Sequence, residues 1–331
     1  MGYTPAMAGI GTFISAGRSL ETAVERVRLA ESLGYDSTFV THIAARDSLT
    51  VLAAYAAATE RIRLGTGVLP IYSRTPVATA QTAATLDELS GGRMVLGLGV
   101  SHRITVEGWY GSEISDPVAE MREYAGAVRA MFRGEDPSGG EVWPTSFRFM
   151  GYGVRPELPI YIAALSPHML RLAGEIADGV LLWLCEPNYV RETVIPEVRE
   201  GRRRAGKDLE GFDVVPAVPA AVTEDRGATL DRVRGDLIPY LSLPFYRAML
   251  DRSGFAAEIE GFDAAIQSGD TEGAKAAISE SMLASLGGFG SAADVQEAVR
   301  RYIEAGATSP GVSPVAGADA DATLRAGAEL I

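Results

Sequence analysis

The sequence predicts an α/β fold, a (β/α)8 TIM barrel with insertions after its fourth and seventh strands. Three observations point there. Seven or eight near-continuous apolar segments alternate with amphipathic helical segments, the pattern of a parallel sheet covered on its outer face. That number of units favours closure into a barrel over an open sheet. An open dinucleotide-binding sheet would also carry Gly-x-Gly-x-x-Gly straight after the first strand. Here Gly9-Ile10-Gly11 lies within that strand and has no third glycine. With no low-complexity tract or linker, residues 1–331 are expected to form one domain.

The elements follow in order. Met7–Ile14 is a first apolar strand; Ser19 caps a helix with Leu20, Val24, Val27 and Ala30 on one face, and Gly34 ends it in the left-handed region. Asp36–Thr41 is the second strand, followed by helix Leu49–Thr59. Ile62–Leu69 is the third, and Thr75-Pro76 then opens a helix with a cap and a first-turn proline. Arg93–Val100 is the fourth. A long connection, Ser101–Leu158, holds a helix near Val118–Phe132 and a Gly/Pro-rich stretch at Gly134–Pro144. Pro159–Ala164 and Asp178–Leu184 are strands five and six, around helix Pro167–Ile176. After a helix over Asn188–Ala205 comes a seventh strand, Phe212–Val222, which contains Pro216 and Pro219. Residues 225–285 read as an Ala-rich helical excursion. Helix Ala292–Ala305 precedes an eighth strand near Ala307–Val312.

Composition excludes several functions. Thirty Lys+Arg against 43 Asp+Glu give a net charge of −13, which repels nucleic-acid phosphates and anionic lipid. No apolar run reaches the roughly 18–20 residues that span a bilayer. The lone Cys185 rules out an intramolecular disulfide, and Met1–Ile14 carries no Lys or Arg, so a cytoplasmic protein is expected. The three histidines, His42, His102 and His168, lie too far apart in sequence for a His-x-His or His-Glu-x-x-His metal motif.

Barrel chemistry sits at the C-terminal ends of the strands. His42, His102 and His168 follow strands two, four and five, and His42 stands directly at a strand end. Ser166-Pro167 opens a helix after an apolar strand, where free first-turn amides and the helix dipole suit a phosphate; an ordinary capped helix is the plainer reading. Arg103 and Arg171 are candidates to add positive charge there. The pairs Gly65/Gly67 and Gly97/Gly99 mark close approach to the backbone, by a ligand or by strand–helix packing. Trp109, Tyr110, Trp143, Phe147 and Phe149 are candidates to line a pocket. The residues alone lead to a barrel that binds a phosphorylated cofactor or substrate.

Three segments carry a resemblance: Thr38–His42, Arg61–Val68 and the run Leu86-Asp87-Glu88-Leu89-Ser90-Gly91-Gly92-Arg93 through Gly99. They resemble the bacterial luciferase-like superfamily of flavin monooxygenases and deazaflavin-dependent oxidoreductases. Ala163–Met169 with Ala177-Asp178-Gly179 is similar to its phosphate-loop region, and residues 7–185 carry most of the likeness. The resemblance implies a cofactor ring at the C-terminal mouth with His42 beside the reacting atoms, although Thr41 stands where the family has an acidic residue. It implies cofactor contacts from Ser101 and Arg103, and a phosphate held by Ala164, Leu165, Ser166, Pro167, His168 and Met169. It also implies a non-prolyl cis peptide at Gly67-Val68 behind the ring.

Val106–Gly111 resembles the deazaflavin branch. The expected function is therefore hydride transfer between coenzyme F420 and a small organic substrate, with Arg46, Arg74 and Arg103 available to the cofactor's anionic tail. The alternatives are an FMN-dependent monooxygenase that uses reduced flavin and oxygen, supplied by a partner reductase, and a non-catalytic flavin-binding barrel. Expected partners are the small-molecule substrate, a cofactor reductase and a second copy of the chain; nucleic acid and membrane are not expected.

Overall fold

The computed structural model describes residues 9–15, 17 and 19–331. Its strands are β1 (Gly11–Phe13), β2 (Ser37–Val40), β3 (Arg63–Thr66), β4 (Leu69–Pro70), β5 (Met94–Gly99), β6 (Ile160–Ala163), β7 (Gly179–Leu182), β8 (Asp213–Val222), β9 (Gly288–Gly290) and β10 (Gly311–Pro314). Parallel neighbours run β10, β1, β2, β3, β5, β6, β7, β8, and β10 pairs back onto β8. The barrel is therefore closed, with eight parallel staves. β4 prolongs the third stave beyond the cis peptide Gly67-Val68 and pairs with β5. β9 is an extra strand on the end of β8. Met7 and Ala8, assigned to the first strand, lie outside the described residues.

The helices begin where side chains satisfy their first amides. Ser19 caps α1 (Leu20–Ser32), Asp47 caps α2 (Ser48–Ala58) and Thr75 caps α3 (Pro76–Leu89). Gly34, at φ 92°, turns the chain out of α1 as expected. The fourth connection holds the single turn α4 (Arg103–Thr105), a π-helical turn over Val106–Tyr110, and α5 (Pro117–Arg133). α6 (Pro167–Ile176) matches its expected limits. The next helix is not uniform: α7 (Pro187–Tyr189) and α8 (Ile195–Arg204) are joined by a π-helical turn at Val190–Val194. The excursion after β8 comprises α9 (Arg226–Leu241), α10 (Pro244–Arg252), α11 (Ala256–Ser268), α12 (Thr271–Ala277) and α13 (Glu280–Leu286). α14 (Ala292–Glu304) and α15 (Ala320–Ala328) complete the chain.

The barrel interior is filled by Phe39, Val95, Tyr161, Leu181 and Val215. This answers what approaches the glycine pairs. A Cβ on Gly65 would lie 2.4 Å from the Phe39 ring, and one on Gly97 would lie 2.0 Å from the Thr66 carbonyl oxygen and 2.6 Å from Leu181. The close approach comes from the chain's own interior side chains and neighbouring stave.

At the N-terminal end, Arg63 reaches Asp36, Tyr161 and Asp213, and Asp213 also accepts the Thr308 and Ser309 hydroxyls. Those two hydroxyls hold residues 308–309 at the base of the barrel. The last stave therefore begins at Gly311, later than the pattern suggested.

β8 changes neighbours at Pro216, while Pro219 lies within the β10 ladder opposite Ser313. The strand pairs with β7 up to Pro216 and with β10 from Ala217 to Ala220, so Pro216 sits at the last rung of the β7 ladder. The aromatic residues of the fourth connection also depart from expectation. Trp143 packs on Tyr72 and Tyr124, and Phe147 and Phe149 stack toward Tyr152, whose hydroxyl donates to Ala84 of α3. That segment thus runs along the helical layer, while Trp109 is exposed.

Candidate active site

The C-terminal mouth has an apolar floor. Phe13, Val68 and Ala163, from three different staves, are half-buried on top of the interior cluster. The Phe13 ring stacks on Phe39 with centroids 5.2 Å apart. A Cβ on Gly67 would meet Phe13 at 2.8 Å, and one on Gly99 would meet Val68 at 2.5 Å. The second glycine of each pair therefore makes room for the floor.

His42 follows β2 and is mostly buried. The Ser48 backbone N–H donates to its Nδ1 at 3.2 Å, and the Ser48 hydroxyl lies 3.2 Å from the same nitrogen. An N–H donates only to an unprotonated nitrogen, so the imidazole is neutral and carries its proton on Nε2. Burial lowers the His42 pKa; Asp47, 3.8 Å away, opposes this, and Arg74 adds to it. Asp47 is itself occupied. Its Oδ1 accepts from the Thr50 N–H and hydroxyl, and its Oδ2 accepts from Arg74 at 2.6 Å. Burial would raise the Asp47 carboxyl, but these bonds and Arg74 outweigh burial and hold it below its ordinary value.

Two non-glycine residues among those described have left-handed backbone, Ser101 and Leu184, each at φ 58°. Both lie just beyond barrel strands, β5 and β7, at the mouth. A left-handed non-glycine residue typically costs of order 1 kcal/mol and concentrates at functional sites. His102 follows Ser101 and packs on Tyr246 of α10, and burial lowers its pKa. Arg103 is largely exposed, with its guanidinium given to Glu107 at 2.7 Å and the Ile114 carbonyl at 2.8 Å.

After β6, the Ser166 side chain accepts from the Met169 N–H at 3.4 Å, and Pro167 occupies the first helical position of α6. Ala164 and Met169 are buried, Leu165, Ser166 and Pro167 half-buried, and His168 exposed. Arg171 does not serve this turn, because its guanidinium is paired with Glu197. Arg74 is likewise committed to Asp47, and Arg46 donates to the Gly17 carbonyl. His42 and the Ser166 turn thus come to one mouth, on staves three places apart in the ring.

Three features escaped the sequence reading. One is the Asp47–Arg74 pair beside His42, whose only local signal was Asp47 in the cap position of α2. The second is buried Glu120, which accepts the Tyr72 hydroxyl and the Ser115 and Asp116 N–H groups and so ties the fourth connection to the third stave. The third is a run of rings, His102–Tyr246–Tyr240–Trp183, that joins the ends of β5 and β7 to the excursion. No local sequence signal marks the last two.

The family model for luciferase-like monooxygenases matches residues 4–309. The chain belongs to this family. A Mycobacterium tuberculosis relative, provisionally named a coenzyme F420-dependent oxidoreductase, is 34% identical over 253 residues, 71% of each chain. A 5,10-methylenetetrahydromethanopterin reductase of Archaeoglobus fulgidus is 32% identical over 292 residues, 85% of this chain and 86% of the relative. The luciferase-like barrel superposes on the coenzyme F420-dependent tetrahydromethanopterin reductase of Methanopyrus kandleri with a TM-score of 0.84, at 23% identity over 98% of both chains. The expected family and barrel class therefore hold. No helix among the described residues is long and apolar enough to cross a membrane.

Proposed function

We propose that this chain is a coenzyme F420-dependent oxidoreductase that moves a hydride between the cofactor and a small organic substrate. The observation that carries the reading is His42, a neutral imidazole with its Nδ1 tied to Ser48, at the β2 exit of a mouth whose floor is apolar. The relatives named for F420 chemistry, at 34% and 32% identity, support the same choice of cofactor.

The residues present suit the cofactor. Gly67 and Gly99 leave the floor flat enough for a planar ring, since a Cβ at either position would strike Phe13 or Val68. In the first turn of α6, Pro167 has no N–H and Ser166 takes the Met169 N–H, which leaves the His168 N–H and the positive end of the helix to a phosphate. Bound and reduced, a deazaflavin supplies a hydride from its ring carbon.

The chain's own residues do the rest. Phe13, Val68 and Ala163 exclude water beneath the ring, and the Ser166–Met169 turn, with Ala164 and Leu165 leading into it, fixes one end. Ser101 shapes the β5 exit beside the floor. The His42 Nε2–H donates a hydrogen bond to the substrate oxygen and steadies negative charge that develops there. Arg103 holds the rim through Glu107 and Ile114, where it can still turn toward an anionic tail.

Fluorescence titration of the purified protein with coenzyme F420 and with FMN, then a screen of acceptors with the reduced cofactor, tests this. Tighter binding of F420 and oxygen-independent turnover are expected. Tighter FMN binding with oxygen-dependent product would install the monooxygenase reading. Binding without turnover of any acceptor would leave a non-catalytic barrel.

A further inference from the structure

β1 stands directly across the ring from β6, four staves away in either direction. Beside its C-terminal end lies a cleft of about 700 Å3, bounded by the exits of β1 and β10. Phe13, Val315 and Leu324 give it apolar walls. Among the described residues its charged lining residues are Arg26 and Arg232, with Asp321 beside Arg26, in a chain of net charge −13.

Arg232 comes from α9 of the excursion and lies over the loop after β10, where its Nη1 donates to the Ala316 carbonyl at 3.1 Å. Gly317 makes this possible. It stands at φ 78°, and a Cβ there would lie 2.1 Å from the same nitrogen. The loop is thus shaped to hold the guanidinium, whose other N–H groups are not used by that contact. Arg26, on α1, forms an ion pair with Asp321 at 3.6 Å, and its Nε has no hydrogen-bond partner among the described residues.

We propose that this cleft receives the organic substrate, and that the substrate has an apolar body ending in an anionic group, carboxylate or phosphate, held by Arg232 and Arg26. The inference rests on the F420 reading for what lies over the floor. A cofactor held at the β6 exit would have Phe13 beneath it on the side toward β1. Its reaction partner then enters from the β1–β10 side, one stave from His42. The anionic end would lie at the arginines and the reacting carbon over Phe13.

The test uses the full-length protein and three small probes, 4-phenylbutyrate, phenyl phosphate and 4-phenylbutanol, with binding measured by calorimetry. A charge-assisted hydrogen bond to a guanidinium should make at least one anionic probe tenfold or more tighter than the alcohol. Whether the acid or the phosphate ester is preferred identifies the anion. In Arg232→Gln the preference should vanish while F420 affinity stays unchanged, and Arg232→Lys should restore part of it.

Equal binding of anions and alcohol, no binding of any probe at millimolar concentration, or a preference that survives in Arg232→Gln overturns the proposal. Loss of F420 affinity in Arg232→Gln would instead assign the arginine to the cofactor, and would overturn it equally. If neither F420 nor FMN binds, the proposed function fails while the probe comparison still reports on the cleft.

Discussion

Replacing Arg74 with methionine should raise the pH at which His42 takes up a proton. Burial holds the His42 pKa below its ordinary value, and because the donating Nε2–H is present in both protonation states, the ring titration rather than the rate reports the shift. Protonation must occur at Nδ1, on the lone pair that the Ser48 N–H now occupies. In the parent, Arg74 engages Asp47 at 2.6 Å and itself disfavours a second positive charge nearby. Arg74→Met removes that repulsion and releases Asp47 toward the imidazolium.

Unit charges at the 3.8 Å separating Asp47 and His42 attract by about 1 kcal/mol in bulk water and about 4 kcal/mol at an effective dielectric of 20. That attraction acts in the parent too, so the upward shift in Arg74→Met reads the loss of the Arg74 repulsion. The sign extends to stability. A histidine held neutral by the fold contributes stability present above its unfolded pKa and lost as pH falls through the folded one, and Arg74→Met should narrow that window. The assay is an NMR titration of the three histidine rings in the parent and in Arg74→Met. A downward or absent shift of the His42 titration in Arg74→Met would refute the electrostatic account, and an Nδ1–H tautomer in the parent would refute the donor assignment.

Further outcomes follow from the same geometry. His42→Ala should lower turnover by about 10²–10⁴-fold with cofactor affinity little changed, read from steady-state kinetics and titration. Ser166→Ala should weaken cofactor binding by more than the roughly 1 kcal/mol a lost cap takes from stability; comparing affinity with denaturant unfolding separates the two. Gly97→Ala places a Cβ 2.0 Å from the Thr66 carbonyl oxygen and should destabilise the barrel by about 3 kcal/mol or more, visible as a lowered Tm. Asp213→Asn leaves Arg63 with Asp36 as its remaining carboxylate at the barrel base and should cost about 1–3 kcal/mol of stability, with cofactor affinity retained in the folded fraction.

Strand–helix alternation, the caps at Ser19, Thr75 and Ser166, and the Gly34 stop were legible because each acts within a turn or two of the chain. The period of apolar residues and the chemistry of a first-turn amide need no distant partner. The Leu86–Gly99 run and the position of His42 carried the family and, through it, the cis peptide at Gly67-Val68. The same locality explains the misplaced edges. Nothing near Thr308 in sequence shows that its hydroxyl is held by Asp213, 95 residues away, so the start of the last stave was set too early.

The candidate site divides along the same line. The sequence by itself determined a barrel of alternating strands and helices, a histidine at a strand end and a capped turn suited to an anion. Only the tertiary structure decided what surrounds them. Barrel closure brings Arg74 to Asp47 beside His42 and so sets the charge around the ring. It turns Gly65 and Gly97 toward the interior, where Phe39 and Leu181 fill the space. It commits Arg103 and Arg171 to Glu107 and Glu197, and carries Trp143, Phe147 and Phe149 out to the helical layer. These are contacts between residues far apart along the chain, or choices among several partners within reach. They depend on how eight staves meet, and side-chain direction around a closed ring is not written in any local period.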